Sequence, residues 1–77
     1  MKRLIRYKVT GWFFRKGRWT QDVHRATVFE SVVSLLDAVA AHNLIDVEGF
    51  LLVGDEPSDY DIVFPIATKG ERVAIAA

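Results

Sequence analysis

Arg3-Leu4-Ile5-Arg6-Tyr7-Lys8-Val9-Thr10-Gly11-Trp12-Phe13-Phe14, then Arg15-Lys16-Gly17, then Arg18-Trp19-Thr20-Gln21-Asp22-Val23-His24-Arg25, is the stretch on which the fold depends. Ile5, Tyr7, Val9 and Phe13 alternate with Arg6, Lys8 and Thr10, the period of two of a strand with one buried face. The reading is a first strand over 3–14, a hairpin loop at Arg15-Lys16-Gly17, and a second strand over 18–25. Gly17 is suited to the positive φ such loops require. Two registers compete. A two-residue loop at Lys16-Gly17 pairs Phe13 with Thr20 and Val9 with His24, mixing apolar with polar. A three-residue loop with a bulge at Gly17 pairs Phe13 with Trp19, Gly11 with Gln21, Val9 with Val23 and Tyr7 with Arg25. The second makes one largely apolar face and is the expected register. Its other face carries Arg6, Lys8, Thr10, Trp12 and Phe14 opposite Arg18, Thr20, Asp22 and His24.

Downstream, Thr27 and Glu30 fit a Thr-x-x-Glu capping box at the start of a helix. Phe29, Val32, Val33, Leu36, Val39 and Ala40 are expected as its buried stripe, with Ser31, Ser34, Asp37 and Ala41 toward solvent. His42 falls in the last turn, where a positive ring suits the helix dipole, and Asn43 is a left-handed stop. Residues 47–53 (Val-Glu-Gly-Phe-Leu-Leu-Val) read as a central strand, and 54–59 as a turn cluster. Residues 60–66 read as a fourth strand, placed at an edge or ended by Pro65, which lacks a ladder donor. A turn at 68–71 and a short fifth strand at 72–76 complete the reading. The order is ββαββ, with that last strand in addition. It implies an α+β, two-layer domain spanning 1–77: an antiparallel sheet of four to five strands with one helix on one face. The uncovered sheet face is left to water, a partner or a second copy.

Composition narrows the classes of function. The chain has 77 residues, 51% hydrophobic and 26% charged, the balance of one folded domain rather than a disordered chain. There is no cysteine, which removes disulfides, thiolate metal sites and a cysteine nucleophile, and fits a cytoplasmic location. No apolar run approaches the roughly 20 residues of a membrane helix. The basic opening has no apolar stretch behind it, so no signal peptide is expected. Neither a P-loop nor Gly-x-Gly-x-x-Gly occurs among the five glycines. His24 and His42 stand 18 positions apart with no motif around them, and Ser31 and Ser34 lie in no nucleophile elbow. The expectation is a non-enzymatic protein without catalytic residues, cofactor or metal.

Charge is divided along the chain. Residues 1–21 hold seven bases and no acid, whereas 22–77 hold three bases and ten acids, so a formal net charge of zero conceals halves of +7 and −7. Either the basic strand lies beside acidic neighbours that neutralise it, or it forms a binding face. The expected partner-binding set is Arg6, Lys8, Trp12, Phe14 and Arg18. Tryptophan and arginine are enriched in interface hot spots, and aromatics beside cations suit base stacking and phosphate contact. Asp55, Glu56, Asp59 and Asp61 form a second, acidic patch. Their spacing does not match an EF-hand loop, and either a solvated turn or a charged surface for a basic partner accounts for them.

The short cysteine-free chain, its charged opening Met1-Lys2-Arg3-Leu4-Ile5-Arg6-Tyr7-Lys8-Val9 and one helix on a small sheet resemble the small accessory proteins of bacteriophages. These include anti-CRISPR proteins and inhibitors of host RNA polymerase. That resemblance implies stoichiometric action on a larger protein or ribonucleoprotein. Direct nucleic-acid binding through the basic hairpin and a homodimer built on the open sheet face are the two alternatives.

Overall fold

Gly11 ends the first strand early. The computed structural model of the protein describes residues 1–66, so the turn at 68–71 and the strand at 72–76 lie outside the described residues. β1 covers Lys2–Tyr7 only. The chain then turns back: Gly11 N donates to Tyr7 O at 2.8 Å, Tyr7 N donates to Trp12 O at 2.8 Å, and Gly11 takes φ +78°. That left-handed conformation comes at little cost only to glycine. The single strand expected over 3–14 is therefore two antiparallel strands, β1 and β2 (Phe13–Arg15), which meet at the pair Arg6–Phe13.

The second hairpin corrects the expected register. β3 is Arg18–Thr20, paired as Phe13–Thr20, Phe14–Trp19 and Arg15–Arg18 around a two-residue loop. Lys16 (φ 44°) and Gly17 (φ 85°) are both left-handed, the type I′ geometry whose twist matches that of the flanking strands. Of the two mismatches that disfavoured this register, Phe13 opposite Thr20 is present, whereas Val9 opposite His24 never arises, because residue 9 lies in the preceding turn.

Instead of continuing as a strand, the chain makes a 3-10 turn at Val23–Arg25 capped by Asp22, whose carboxylate accepts from His24 N at 2.9 Å. Residues 26–29 then fill the gap where β1 and β2 diverge. Thr27 N donates to Phe14 O at 2.9 Å, and Phe29 N donates to Arg3 O at 2.8 Å. Thr27 Oγ1 accepts from Lys16 N at 3.0 Å, so it does not cap the helix. The cap is Ser31, whose Oγ accepts from Ser34 N at 3.1 Å while Ser34 Oγ accepts from Ser31 N at 3.2 Å. α1 therefore spans Val32–Ala41. It ends in a Schellman arrangement: Asn43 has φ 52°, and Leu44 N donates to Val39 O at 3.0 Å. The left-handed stop stands where the sequence placed it.

β4 (Val47–Leu52) and β5 (Ile62–Pro65) complete an antiparallel sheet of order β3-β2-β1-β4-β5 among the described residues. With α1 on one face, the fold is α+β. Among the described residues β5 is an edge strand. The bond from Lys8 N to Asp46 O (2.8 Å) sets the phase of the β1–β4 ladder. It follows that Gly49 and Leu51 bond toward β5, and that Phe64 and Ile62 bond back to them. Val63 and Pro65 then face outward, and the missing proline donor falls on the open edge, where it discourages pairing with another strand.

Both sheet faces carry buried clusters. Ile5, Phe14, Leu35, Val39, Val47 and Ile66 pack between sheet and helix. Leu4, Phe13, Phe50 and Leu52 pack on the opposite face, covered by Ala26 and with Val23 against them. Phe13 and Phe50 meet edge to face at 5.4 Å. The face expected to stand open is thus closed over these residues by the segment carrying the 3-10 turn.

Candidate interaction surfaces

The residues expected to form one partner-binding face do not share a face. The turn over 8–12 places Phe13, not Phe14, beside Arg6, which flips every side chain of β2 relative to a continuous strand. Phe14 is only 3% exposed; its ring lies 5.0 Å from His42 and 5.9 Å from Trp19 within the helix-side cluster. It is a core residue and is withdrawn from the site. Arg6 lies half-buried on the opposite face. Its Nε donates to Glu48 Oε2 at 2.7 Å, and its guanidinium stands 5.0 Å over the Phe50 ring. This is the cross-strand neutralisation of the basic half, and it occupies Arg6 within the fold. Lys8 is exposed where β1 gives way to the turn. Trp12, 38% exposed, stands at the end of that turn. Arg18 is exposed at the far end of the β2–β3 ribbon from Trp12, so these two do not form one patch.

The acidic residues also separate by role. Asp61 holds the β4–β5 loop together: Oδ1 accepts from Val53 N at 2.9 Å, and Oδ2 accepts from Ser58 N at 2.7 Å. Glu56 Oε1 lies 2.7 Å from His24 Nε2 and ties the loop to the 3-10 turn through an exposed contact. Asp55 and Asp59 are exposed. Among the described residues no three His, Asp or Glu side chains come together to hold a metal ion.

One surface escaped the sequence reading, and a second was read only in part, as a basic hairpin with Arg18 in the site. The first is the outer side of α1. Leu35 and Val39 are its buried residues, so Val32 (44% exposed), Val33 (67%) and Leu36 (44%), all expected in the buried stripe, point away from the core. Ala40 and Ala41 are exposed as well, and Asp37 is the one charge in Val32–Ala41. With few polar residues in α1, periodicity alone selects its buried side weakly. Val39 is buried as expected, whereas Leu35 takes the place expected for Val32, Val33 and Leu36.

The second surface is the tip of the β2–β3 hairpin. Arg15 and Arg18 are directly opposed, Lys16 occupies the turn, and Arg15 Nη1 donates to Arg25 O at 2.6 Å, which brings a fourth basic residue alongside. All four are exposed, and none has a carboxylate within 4.0 Å among the described residues. The legible signal was Arg15-Lys16-Gly17-Arg18, three cations in four residues around a turn glycine. No protein-family model, curated protein or solved structure matches the chain.

Proposed function

We propose that the protein is a non-enzymatic binding module that occupies a surface of a larger protein or ribonucleoprotein. One observation carries this reading: a surface helix whose outward side presents Val32, Val33 and Leu36 with Asp37 as its one charge. Single exposed aliphatics are ordinary, but three on adjoining helical positions form a patch suited to the apolar centre of an interface. The residue types that often serve catalysis are engaged structurally. Ser31 and Ser34 cap the helix, His24 meets Glu56, and His42 lies against Phe14. The resemblance to phage accessory proteins gives the sharper form of the reading, inhibition of a host machine such as RNA polymerase or a CRISPR effector by occupancy.

The test is affinity capture from cell lysate with wild-type protein and with Val33→Asp/Leu36→Lys, each with and without nuclease. Val33 is the second helical residue, where an acidic side chain suits the dipole, so the fold should tolerate the change. Loss of a captured protein with the variant is the expected result. Identical capture by both proteins overturns the assignment of α1. Concentration-dependent sedimentation of wild type that the variant abolishes would instead make a second copy the occupant.

A further inference from the structure

We propose that the β2–β3 hairpin tip is a contact site for the phosphodiester backbone of a nucleic acid. The argument begins with what the tip does to the fold. Arg15 and Arg18 form a directly opposed cross-strand pair, and like charges at that separation destabilise a hairpin. Lys16, between them, takes φ 44°, a region in which Asn and Gly are favoured over a long-chain residue. Arg15 Nη1 donates to the backbone carbonyl of Arg25, a neutral acceptor and not a neutralising acid, and this brings a further basic residue alongside. Elsewhere the fold does neutralise: Arg6 of the same basic segment is paired with Glu48. Among the described residues the tip therefore keeps Arg15, Lys16, Arg18 and the nearby Arg25 without a neutralising carboxylate; the Arg15–Arg18 opposition works against folding, and an anionic partner would relieve that repulsion.

The chemistry of the tip selects the kind of anion. Arg15-Lys16-Gly17-Arg18 offers no aliphatic or aromatic side chain around which a protein interface could form its apolar centre. Phosphate contacts need no such centre. They are made by Arg and Lys side chains and by backbone amides, and they position a nucleic acid without reading its bases. A two-stranded ribbon with a two-residue tip is narrow enough to follow a strand backbone. Among the described residues the acidic β4–β5 loop springs from the other edge of the sheet and reaches this side only through Glu56, which is engaged by His24, the neighbour of Arg25.

The experiment measures fluorescence anisotropy of labelled 20-nucleotide single-stranded and duplex probes from 50 to 200 mM salt. A polyglutamate of comparable charge serves as the protein-like competitor. With four cations engaged, log Kobs should fall against log[salt] with a slope of about −3 to −4, so affinity drops on the order of 100-fold across that range. The diagnostic variant is Lys16→Asn/Arg18→Gln. It removes two charges, relieves the opposed pair and places Asn-Gly in the type I′ turn. It should keep or raise the melting temperature, roughly halve the salt slope and weaken binding at 50 mM by about 10-fold or more. Lower affinity in a more stable protein supports the site, because damage to the fold cannot produce it. No binding of either probe at 50 mM, a salt slope near zero, or unchanged binding by the variant overturns the proposal. Polyglutamate that displaces the probes at equal charge also overturns it, since the tip would then be a site for an acidic protein.

Discussion

Replacing Gly49 by alanine isolates the tightest contact in the sheet. Gly49 of β4 is directly opposite Phe64 of β5, and a β-carbon at residue 49 would overlap the Phe64 ring. The ring packs against the helix-side cluster, so it can escape the overlap only by leaving that packing. Burying a phenylalanine in full is worth about 1.5–3 kcal/mol, and forcing an extra methyl into a packed site costs about 1–3 kcal/mol. Phe64 is only partly buried, and alanine in a strand gains about 0.5–1 kcal/mol over glycine. The net expectation is a loss of about 2 kcal/mol. For a chain of 77 residues whose total stability is roughly 4–11 kcal/mol, that is a large fraction. It should lower the melting temperature by about 8–16 °C. Thermal and urea unfolding followed by circular dichroism measure it. The deciding arm is the double-mutant cycle with Phe64→Ala. Once the ring is gone, Gly49→Ala should become neutral or mildly stabilising, giving a coupling of about 2 kcal/mol or more. Additive effects, or a Gly49→Ala protein within about 0.5 kcal/mol of wild type, would refute the account of glycine as the seat of that ring.

Glu48→Gln should cost about 1–2 kcal/mol by urea denaturation, because it leaves the half-buried Arg6 guanidinium over Phe50 without its carboxylate. The double change Arg6→Met/Glu48→Leu should recover most of that loss, since an apolar pair needs no compensating charge. Ser31→Ala should destabilise by about 1 kcal/mol through loss of the acceptor for Ser34 N. A shift below about 0.3 kcal/mol in the urea-derived stability would argue that the helix is held by packing of Leu35 and Val39 alone.

The sequence was readable where one residue type has one physical consequence. Asn43 stops the helix in the left-handed region, Gly17 turns the hairpin, and Pro65 marks the outward edge of the sheet. The apolar run at 47–53 is the inner strand β4 to within one residue. Reading failed where two local solutions differ by less than the tertiary context supplies. Gly11 sits in an otherwise unbroken strand pattern, and a lone glycine there signals a bulge or a turn as readily as nothing. Only the hydrogen bonds from Tyr7 to Trp12 and from Gly11 to Tyr7 decide between them. That one turn inverted the parity of β2, buried Phe14, exposed the ribbon tip in place of a sheet face and dismantled the expected site. The helix cap was the second failure: it was expected at Thr27, and the fold uses Ser31, four residues on. Thr27 was taken by the amide of Lys16, an interaction between segments that no local pattern announces.

The two surfaces assigned here are the places where local preference and the fold disagree. Natural sequences tend to be consistent across levels, and violations that survive are expected where a protein contacts something else. Arg15 opposite Arg18, a lysine at φ 44°, and Val33 facing solvent each weaken or fail to help the isolated chain. The basic segment contains its own control. Arg6 and Arg18 belong to the same run of uncompensated charge in the sequence, yet Arg6 has a carboxylate built opposite it and Arg18 has another arginine. Had the first half been basic merely to balance acidic neighbours across the sheet, both positions should have found acids. Binding and stability should therefore respond in opposite directions at the tip and together at Arg6.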